Sequence, residues 1–498
     1  MPRGVTRRGG QCLPGRTLSD GPFCLPMTAA GTTTSMATNT ARDVEHRASE
    51  TAIPGGGPTV SGLEALRIAA VLGFTPIAAG VIARRPSMMA VLGRLGADAP
   101  TVPFVRRLRE RYGPGPLQLQ LPKRRLAVVL TGGDAGRVLD GSPEPFNPAN
   151  REKKGALSPF QPHGVLISEG HVRQQRRRIN EEALDTSHAM HHLADPMVEV
   201  IRHEVAALLA SAQSKGTLDS DEFTRTWWRM VRQIVLGKSA RDDHAITDQL
   251  HKLRANGNWS YFLPPPRKLR DRFIESLYSY VDKAEPGSVV SSLAALPAGG
   301  AIDPVGQIPH WLFAFDAAGI ATSRALALLS THPEQRRLAR GEVAAWDTTV
   351  PQQYPYLRAC VLESVRLWPT TPTILRDSTR DTTWGSGDGE FTIPAGTAFM
   401  ILAPAFHRDD RTFSFANGFA PEVWLDGTAQ SRPELVPFSA GPAECPGRNL
   451  VLFVTSTVLA LMLEAADFQL TSTPALTPGQ PLPPTLNNFG LRFRVTST

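Results

Sequence analysis

The stretch AFDAAGIATSRALALL, residues 314 to 329, is apolar on nearly every side of a helix. A helix without a polar face must be surrounded, so this one demands a shell of further elements. The rest of the chain supplies them. Helical spacing recurs in VRQQRRRINEEAL, EFTRTWWRMVRQIVLG, AITDQLHKLRAN and RKLRDRFIESLYSYVDKA, with LPPP at 263–266 separating the last two. FVRRLRERYGPGPLQLQLPKRRLAVVLTGG reads as a basic amphipathic helix, a Gly-Pro turn and a β-hairpin. Residues 141–165 are loop-like, proline-rich turns and short strands occupy 370–437, and the segment from Arg448 reads as a helix followed by strand-like pieces. The expected fold is mainly α with small β-sheets.

With 498 residues, one large domain is as well allowed as about three average ones. The net charge of +7 comes without a zinc finger, basic zipper or aromatic-studded basic stripe, which argues against nucleic acid and fits a docking face for an acidic protein. Cysteines stand at 12, 24, 360 and 445 with no C-x-x-C pair. That excludes a zinc ribbon, an iron–sulfur centre and c-type haem attachment, and favours a reducing, cytoplasmic compartment. Residues 1–60 read as a disordered tail, with Met27 and Met36 as alternative starts, and they lack the apolar core of a secretory signal. Residues 61–100 form an apolar lead-in. Its uncharged part, IAAVLGFTPIAAGVIA (68–83), is shorter than the ~20 residues of a spanning helix and is interrupted by Pro76. It is expected to be a buried or interfacial helix, and 63–95 is where peripheral membrane contact would occur.

The segment VPFSAGPAECPGRNLVLF (436–453) places Cys445 between two Gly-Pro turns and the start of an apolar helix. Sulfur ligates metals as the thiolate, so a metal site must stabilise negative charge there. Gly441 and Gly447 let backbone N–H groups approach, and a helix starting at about Arg448 turns its positive end toward the sulfur. Pro446 fits a helix entrance, and Phe438 offers a flat cofactor an aromatic surface. One thiolate beside an aromatic ring suits haem iron. The competing readings are an inert buried cysteine and a nucleophile, the latter without a local His or Asn arrangement. In the all-apolar helix, small residues at 317–319 leave room for a flat cofactor, and Thr322 can bond back to the carbonyl of Ala318. ACVLESVRLWPTTP (359–372) sets Glu363 and Arg366 side by side on one helix face that is otherwise apolar, so the pair must be satisfied internally. Arg376 follows in TILRDST, and a guanidinium matches a carboxylate.

FSAGPAECPG resembles the cysteine-ligand signature of the cytochrome P450 family, the haem-thiolate monooxygenases. AGIAT (318–322) is similar to the family's distal oxygen-binding helix, ESVR (363–366) to its E-x-x-R, and IPAGTAFMILAPAFHRDDRTFSFANGFAPEVWLDG (393–427) to its run of short strand, H-R-D and P-E segments. The likeness is collinear over roughly residues 101–498. It implies a cytochrome P450 fold of the bacterial soluble type, 101–498 being the haem-binding domain. Haem b would sit between a distal helix (about 310–330) and a proximal loop (438–447). It implies Cys445 as iron ligand, Phe438, Gly441, Gly447, Arg376, Ala318 and Gly319 as cofactor contacts, and Thr322 as the catalytic residue that helps deliver protons. The implied reaction inserts one oxygen atom from dioxygen into a small apolar organic substrate.

The chain leaves no length for a flavin domain, so electrons are expected from a ferredoxin or flavodoxin with its reductase. That donor would dock on a basic cysteine-side face including Arg448, with the enzyme a monomer. Ala314, Ala317, Ala318, Thr371, Thr373 and Ile374 are the expected pocket. Three positions depart from the family's pattern. Ala321 stands where an acid is common, and Asp316 is a poor substitute by helical phase. Val423 stands where an arginine completes the Glu363–Arg366 network, and Ala443 replaces a basic propionate contact. His171, Arg173, Arg176 and Arg177 are the early-helix candidates for that contact. A peroxide-using or non-oxygenating haem-thiolate enzyme shares these motifs, and a haem-less binding scaffold is the remaining alternative.

Overall fold

Ile308–Thr331 forms the central helix. Pro309 opens it, where a missing N–H costs nothing, and His332 leaves helical geometry just before Pro333. Sixteen of its residues are buried, from Ile308 to Leu329. It packs against three helices: Ser220–Leu236, Pro355–Leu367 and Arg448–Ala465. Burying each leucine or phenylalanine of such a helix contributes about 1.5–3 kcal/mol, so the shell that the sequence demands is also what stabilises it. The Trp227 indole N–H crosses from Ser220–Leu236 to donate to Phe315 O at 2.8 Å.

The computed structural model describes residues 57–296 and 302–497. Most of the tail expected over 1–60 lies outside these residues. Its end does not behave as a tail: Thr59–Val60 pairs in parallel with Gln118 and Leu119 of the hairpin. The helix Gly62–Ala79 then buries Ala65, Ile68 and Leu72 against Leu117, Leu119 and Met400. The sheet therefore begins before the domain start expected at 101.

The hairpin Leu117–Leu121/Arg124–Val128 is antiparallel as its alternation predicts. It lies in a six-stranded sheet whose order is Thr59–Val60, Leu117–Leu121, Arg124–Val128, Ala398–Leu402, Thr373–Ser378 and Phe146–Asn147. In Thr373–Ser378 the buried residues alternate as Ile374, Arg376 and Ser378. The two-residue period thus turns the Arg376 guanidinium inward together with an isoleucine. A three-stranded sheet joins Thr217–Asp219, Ala466–Leu470 and Arg492–Ser497, and a small hairpin pairs Thr382–Trp384 with Phe391–Ile393. The architecture is mostly helical with small sheets.

Candidate functional site

Cys445 lies immediately before the helix Arg448–Ala465, on the wall of a cavity of about 270 Å³. The opposite wall is the central helix, through Ala314, Ala317, Ala318 and Ala321. The cysteine loop is braced from both sides. Cys445 N donates to Phe438 O at 3.0 Å, Arg177 Nη1 to Glu444 O at 2.6 Å, and Thr186 Oγ1 to Pro446 O at 2.7 Å. Gly441 has φ of +66°, and a Cβ there would lie 2.4 Å from Leu139 O. Its lack of a side chain therefore seats the loop on the Gly132–Asp140 helix and does not make room at the sulfur as the sequence reading expected. Gly447 meets that expectation, its N–H facing the sulfur. Burial pushes the Cys445 thiol up, while the Gly447 amide, Arg177 and Arg448 favour the thiolate.

On the central helix, Thr322 is fully buried and its Oγ donates to Ala318 O at 2.8 Å, the back-bond its spacing predicts. Gly319 is a correction. A Cβ there would lie 2.8 Å from Trp227 Nε1, so this glycine admits the tryptophan of a neighbouring helix, not a cofactor. Asp316 reaches the cavity wall after all, but Arg254 holds it at 2.6 Å. Thr371, Thr373, Ile374 and Phe438 also line the cavity, as does Ala443.

One end of the cavity is strongly cationic. Arg376 donates to Ser142 Oγ, Ser439 Oγ and Leu375 O, and no carboxylate among the described residues receives it. Among the described residues, Lys153 Nζ donates only to the Pro148 and Leu375 carbonyls, at 3.0 and 3.5 Å. Arg173 Nε is buried with no partner. Burial and then mutual repulsion push Arg376 down to about 10 and Lys153 well below its usual range; burial and Arg177 lower Arg173. The nearest acids, Glu152 and Asp377, are both bonded to Arg124. Of the other early-helix candidates, Arg177 lines the cavity, His171 is exposed, and Arg176 turns to Ile302 O and Ser168 Oγ.

Glu363 and Arg366 are both fully buried and paired through two bonds of 2.6 and 2.7 Å. Arg366 also donates to the carbonyls of His407, Ala416 and Gly418 at 2.7–2.9 Å. Val423 supplies nothing. The adjacent Trp424 Nε1 and the Ala420 amide complete the carboxylate's shell instead, at 2.9 and 3.0 Å. Buried His407 locks the same knot to the cysteine segment, its Nε2 accepting from Val436 N at 3.0 Å.

A thiol at a cavity wall, an alanine helix face opposite and a buried Glu–Arg knot behind it are thus assembled in one place. The family model for cytochrome P450 matches residues 315–488, the part of the chain that carries all three. The chain belongs to the cytochrome P450 family. It is 26% identical to the cyclooctat-9-en-7-ol 5-monooxygenase of Streptomyces melanosporofaciens over 63% of this chain and 74% of that protein. It is also 26% identical to a cytochrome P450 monooxygenase of Stereocaulon alpinum over 74% of this chain and 80% of that one. A probable cytochrome P450 of Drosophila melanogaster matches at 30%, over 31% of this chain and only 30% of its own length. This P450 is accordingly an oxidoreductase of the monooxygenase class, with haem as its cofactor.

The residues present fit that group. Two buried guanidiniums, Arg173 and Arg376, and the half-buried Lys153, none with a carboxylate partner among the described residues, converge where a ligand with two carboxylates would pair with them, and a lone sulfur borders the same cavity. Arg173, Arg376 and Lys153 would hold the propionates, Lys153 standing in for the basic residue missing at 443. Sequence reasoning missed Lys153, because it lies in a stretch that reads as loop. The signal was the Asn150 cap of a short helix, Arg151–Leu157, which fixes the lysine's direction. Lys153→Met is expected to speed transfer of haem to an acceptor globin by roughly tenfold or more, the scale of one lost charge-assisted hydrogen bond. An unchanged transfer rate would remove Lys153 from the cofactor's contacts.

Proposed function

We propose that this P450 binds haem b through Cys445 and inserts one oxygen atom from dioxygen into an apolar organic substrate, taking electrons from a separate ferredoxin or flavodoxin with its reductase. The observation that carries the reading is the facing of Cys445 and an alanine-lined helix across one cavity. When bound, haem supplies dioxygen binding and reductive O–O cleavage, which a thiolate ligand promotes.

The chain's own residues do the rest. Gly447 N–H and the N-terminus of Arg448–Ala465 stabilise charge on the sulfur. Ala314, Ala317, Val361, Val365 and Ile374 exclude water and place an apolar body against the helix. Thr322 holds a proton on Oγ, directed at Ala318 O, and can pass it on by rotating about χ1. Ala321 provides no acid to refill it, and Asp316 is clamped by Arg254. Water in the cavity is left to resupply the proton, which makes this step the slow one. The same gap favours a second reading, in which peroxide supplies both oxygen and electrons. The Streptomyces relative's name gives its substrate as an unsaturated alcohol, and a molecule of that polarity suits these walls.

We place the enzyme as a monomer in the cytoplasm, with its electron donor on the cysteine side, where Arg448 is half-exposed. Contact with a lipid surface through 63–95 is part of the reading. On the helix Gly62–Ala79 the outward residues are Leu63, Leu66, Val71, Phe74 and Ile77, with Leu63 at 86% exposure, whereas a water-facing side would be polar. By length and composition this helix is one of three among the described residues that are apolar enough to cross a membrane, and 22% of it is buried. We read the apolar segment as interfacial, which its low burial supports, and flotation with anionic vesicles tests the contact.

The reaction is tested with holoenzyme, a [2Fe–2S] ferredoxin with its reductase, labelled dioxygen and an unsaturated terpene alcohol as probe. One labelled oxygen in the product is expected. Turnover with peroxide alone, and no label from dioxygen, would select the second reading.

A further inference from the structure

The cavity-facing positions of the central helix are His310, Phe313, Ala314, Ala317, Ala318 and Ala321, the spacing of a single helix face. Ile320 and Asp316 border the cavity beside this face, and Asp316 is the one other polar residue that the helix brings there, already held by Arg254 at 2.6 Å. On the face itself all but His310 are apolar. His310 stands out further because neither ring nitrogen has a hydrogen-bond partner among the described residues, and its Nδ1 is wholly buried. Its ring contacts Phe313, with centroids 5.7 Å apart, and Phe313 in turn meets Phe160. Lys153, the cation whose charge acts on it, already donates to two backbone carbonyls. Buried polar groups in folded proteins are almost always bonded, and one aimed into a cavity has a ligand or water as its partner. Burial, with a smaller push from Lys153, lowers the imidazole to about 4, so at neutral pH it offers one donor and one acceptor.

We infer that His310 is a specificity-determining residue that binds a hydroxyl or carbonyl oxygen of the substrate, so that this enzyme takes apolar molecules bearing one neutral oxygen group remote from the carbon that is oxidised. The inference rests on the haem-thiolate reading. Eight residues separate His310 from Ala318, which at the helical rise puts the polar anchor about 12 Å along the helix from the alanine opposite the cysteine. Between the two that face carries Phe313, Ala314 and Ala317, and Asp316 at its edge is taken up by Arg254, so the intervening part of the ligand is apolar. A carboxylate is disfavoured because the neutral ring offers it a single donor and no charge.

The test uses holoenzyme and N-alkylimidazoles of graded tether length, each as the plain alkyl, ω-hydroxyl and ω-carboxylate compound. The imidazole end is read by the Soret shift, and calorimetry reads the same affinities without haem absorbance. At one tether length the hydroxyl is expected to tighten binding about tenfold over the plain alkyl. His310→Phe is expected to erase that gain while leaving plain-alkyl affinity unchanged, and His310→Gln to keep part of it. No gain at any length, a gain that survives in His310→Phe, or a preference for the carboxylate would overturn the inference. A calorimetric hydroxyl preference with no Soret shift would sustain the anchor and instead count against haem ligation.

Discussion

Arg366→Leu is expected to lower the stability of the fold by about 3–5 kcal/mol, the cost of leaving one member of a buried ion pair without the other. Against a total of about 5–15 kcal/mol for a folded domain, that loss leaves little soluble, haem-loaded protein. The expectation follows from how completely the pair is enclosed. Both side chains are fully buried, Glu363 is left only the Trp424 and Ala420 N–H groups, and the carbonyls of His407, Phe415, Ala416 and Gly418 lose their donor at once. Arg366→Lys does not rescue it, since an ammonium cannot match a planar fork spread over a carboxylate and several carbonyls. Trp424→Phe removes one donor from the buried Glu363 carboxylate and leaves the ion pair in place, and is expected to cost about 1.5–3 kcal/mol. Thermal unfolding of the three variants checks the order. An Arg366→Leu protein that melts with the wild type would show that the knot is incidental to the fold.

Cys445→Ser is expected to abolish the red-shifted carbon monoxide band of the reduced protein and all monooxygenase turnover. A serine hydroxyl stays protonated near neutral pH and gives iron no soft anionic ligand. The loop itself should survive. Its braces are the backbone bond from residue 445 to Phe438, the Arg177–Glu444 contact and the Thr186–Pro446 contact, none of which uses the sulfur. Unchanged circular dichroism beside a lost band separates a missing ligand from a missing fold. A variant that kept the band would place the thiolate elsewhere, and Cys360, buried in the helix Pro355–Leu367, is the other cysteine among the described residues.

What could be read before the structure depended on whether a residue's meaning is local. The all-apolar helix, the hairpin over 117–128, the Thr322 back-bond and the Glu363–Arg366 adjacency follow from periods of 3.6 and 2, which a sequence displays directly. The helix start after Cys445 was legible for the same reason, from Gly447 and the apolar run beyond it. Residues whose role depends on a distant partner were not. Gly319 reads as space for a cofactor until Trp227 is seen to fill that space. Gly441 reads as an approach to the sulfur until Leu139 is found behind it. Trp424 sits one position beyond the place where an arginine was sought, and only the turn Pro421–Trp424 swings its indole onto Glu363. Lys153 and His310 are 157 residues apart in sequence and meet only at the cavity. The Gly62–Ala79 helix shows a further limit: its apolar composition was plain, but which side faced outward required its neighbours.

The central claim is that Cys445 is the thiolate ligand of a haem in this cavity. Its most direct test is the absorption difference spectrum of the purified, dithionite-reduced, full-length protein with and without carbon monoxide. A strongly red-shifted Soret band is expected. Haem whose band falls at the position of histidine- or thiol-ligated iron, or protein that takes up no haem at all, would contradict it.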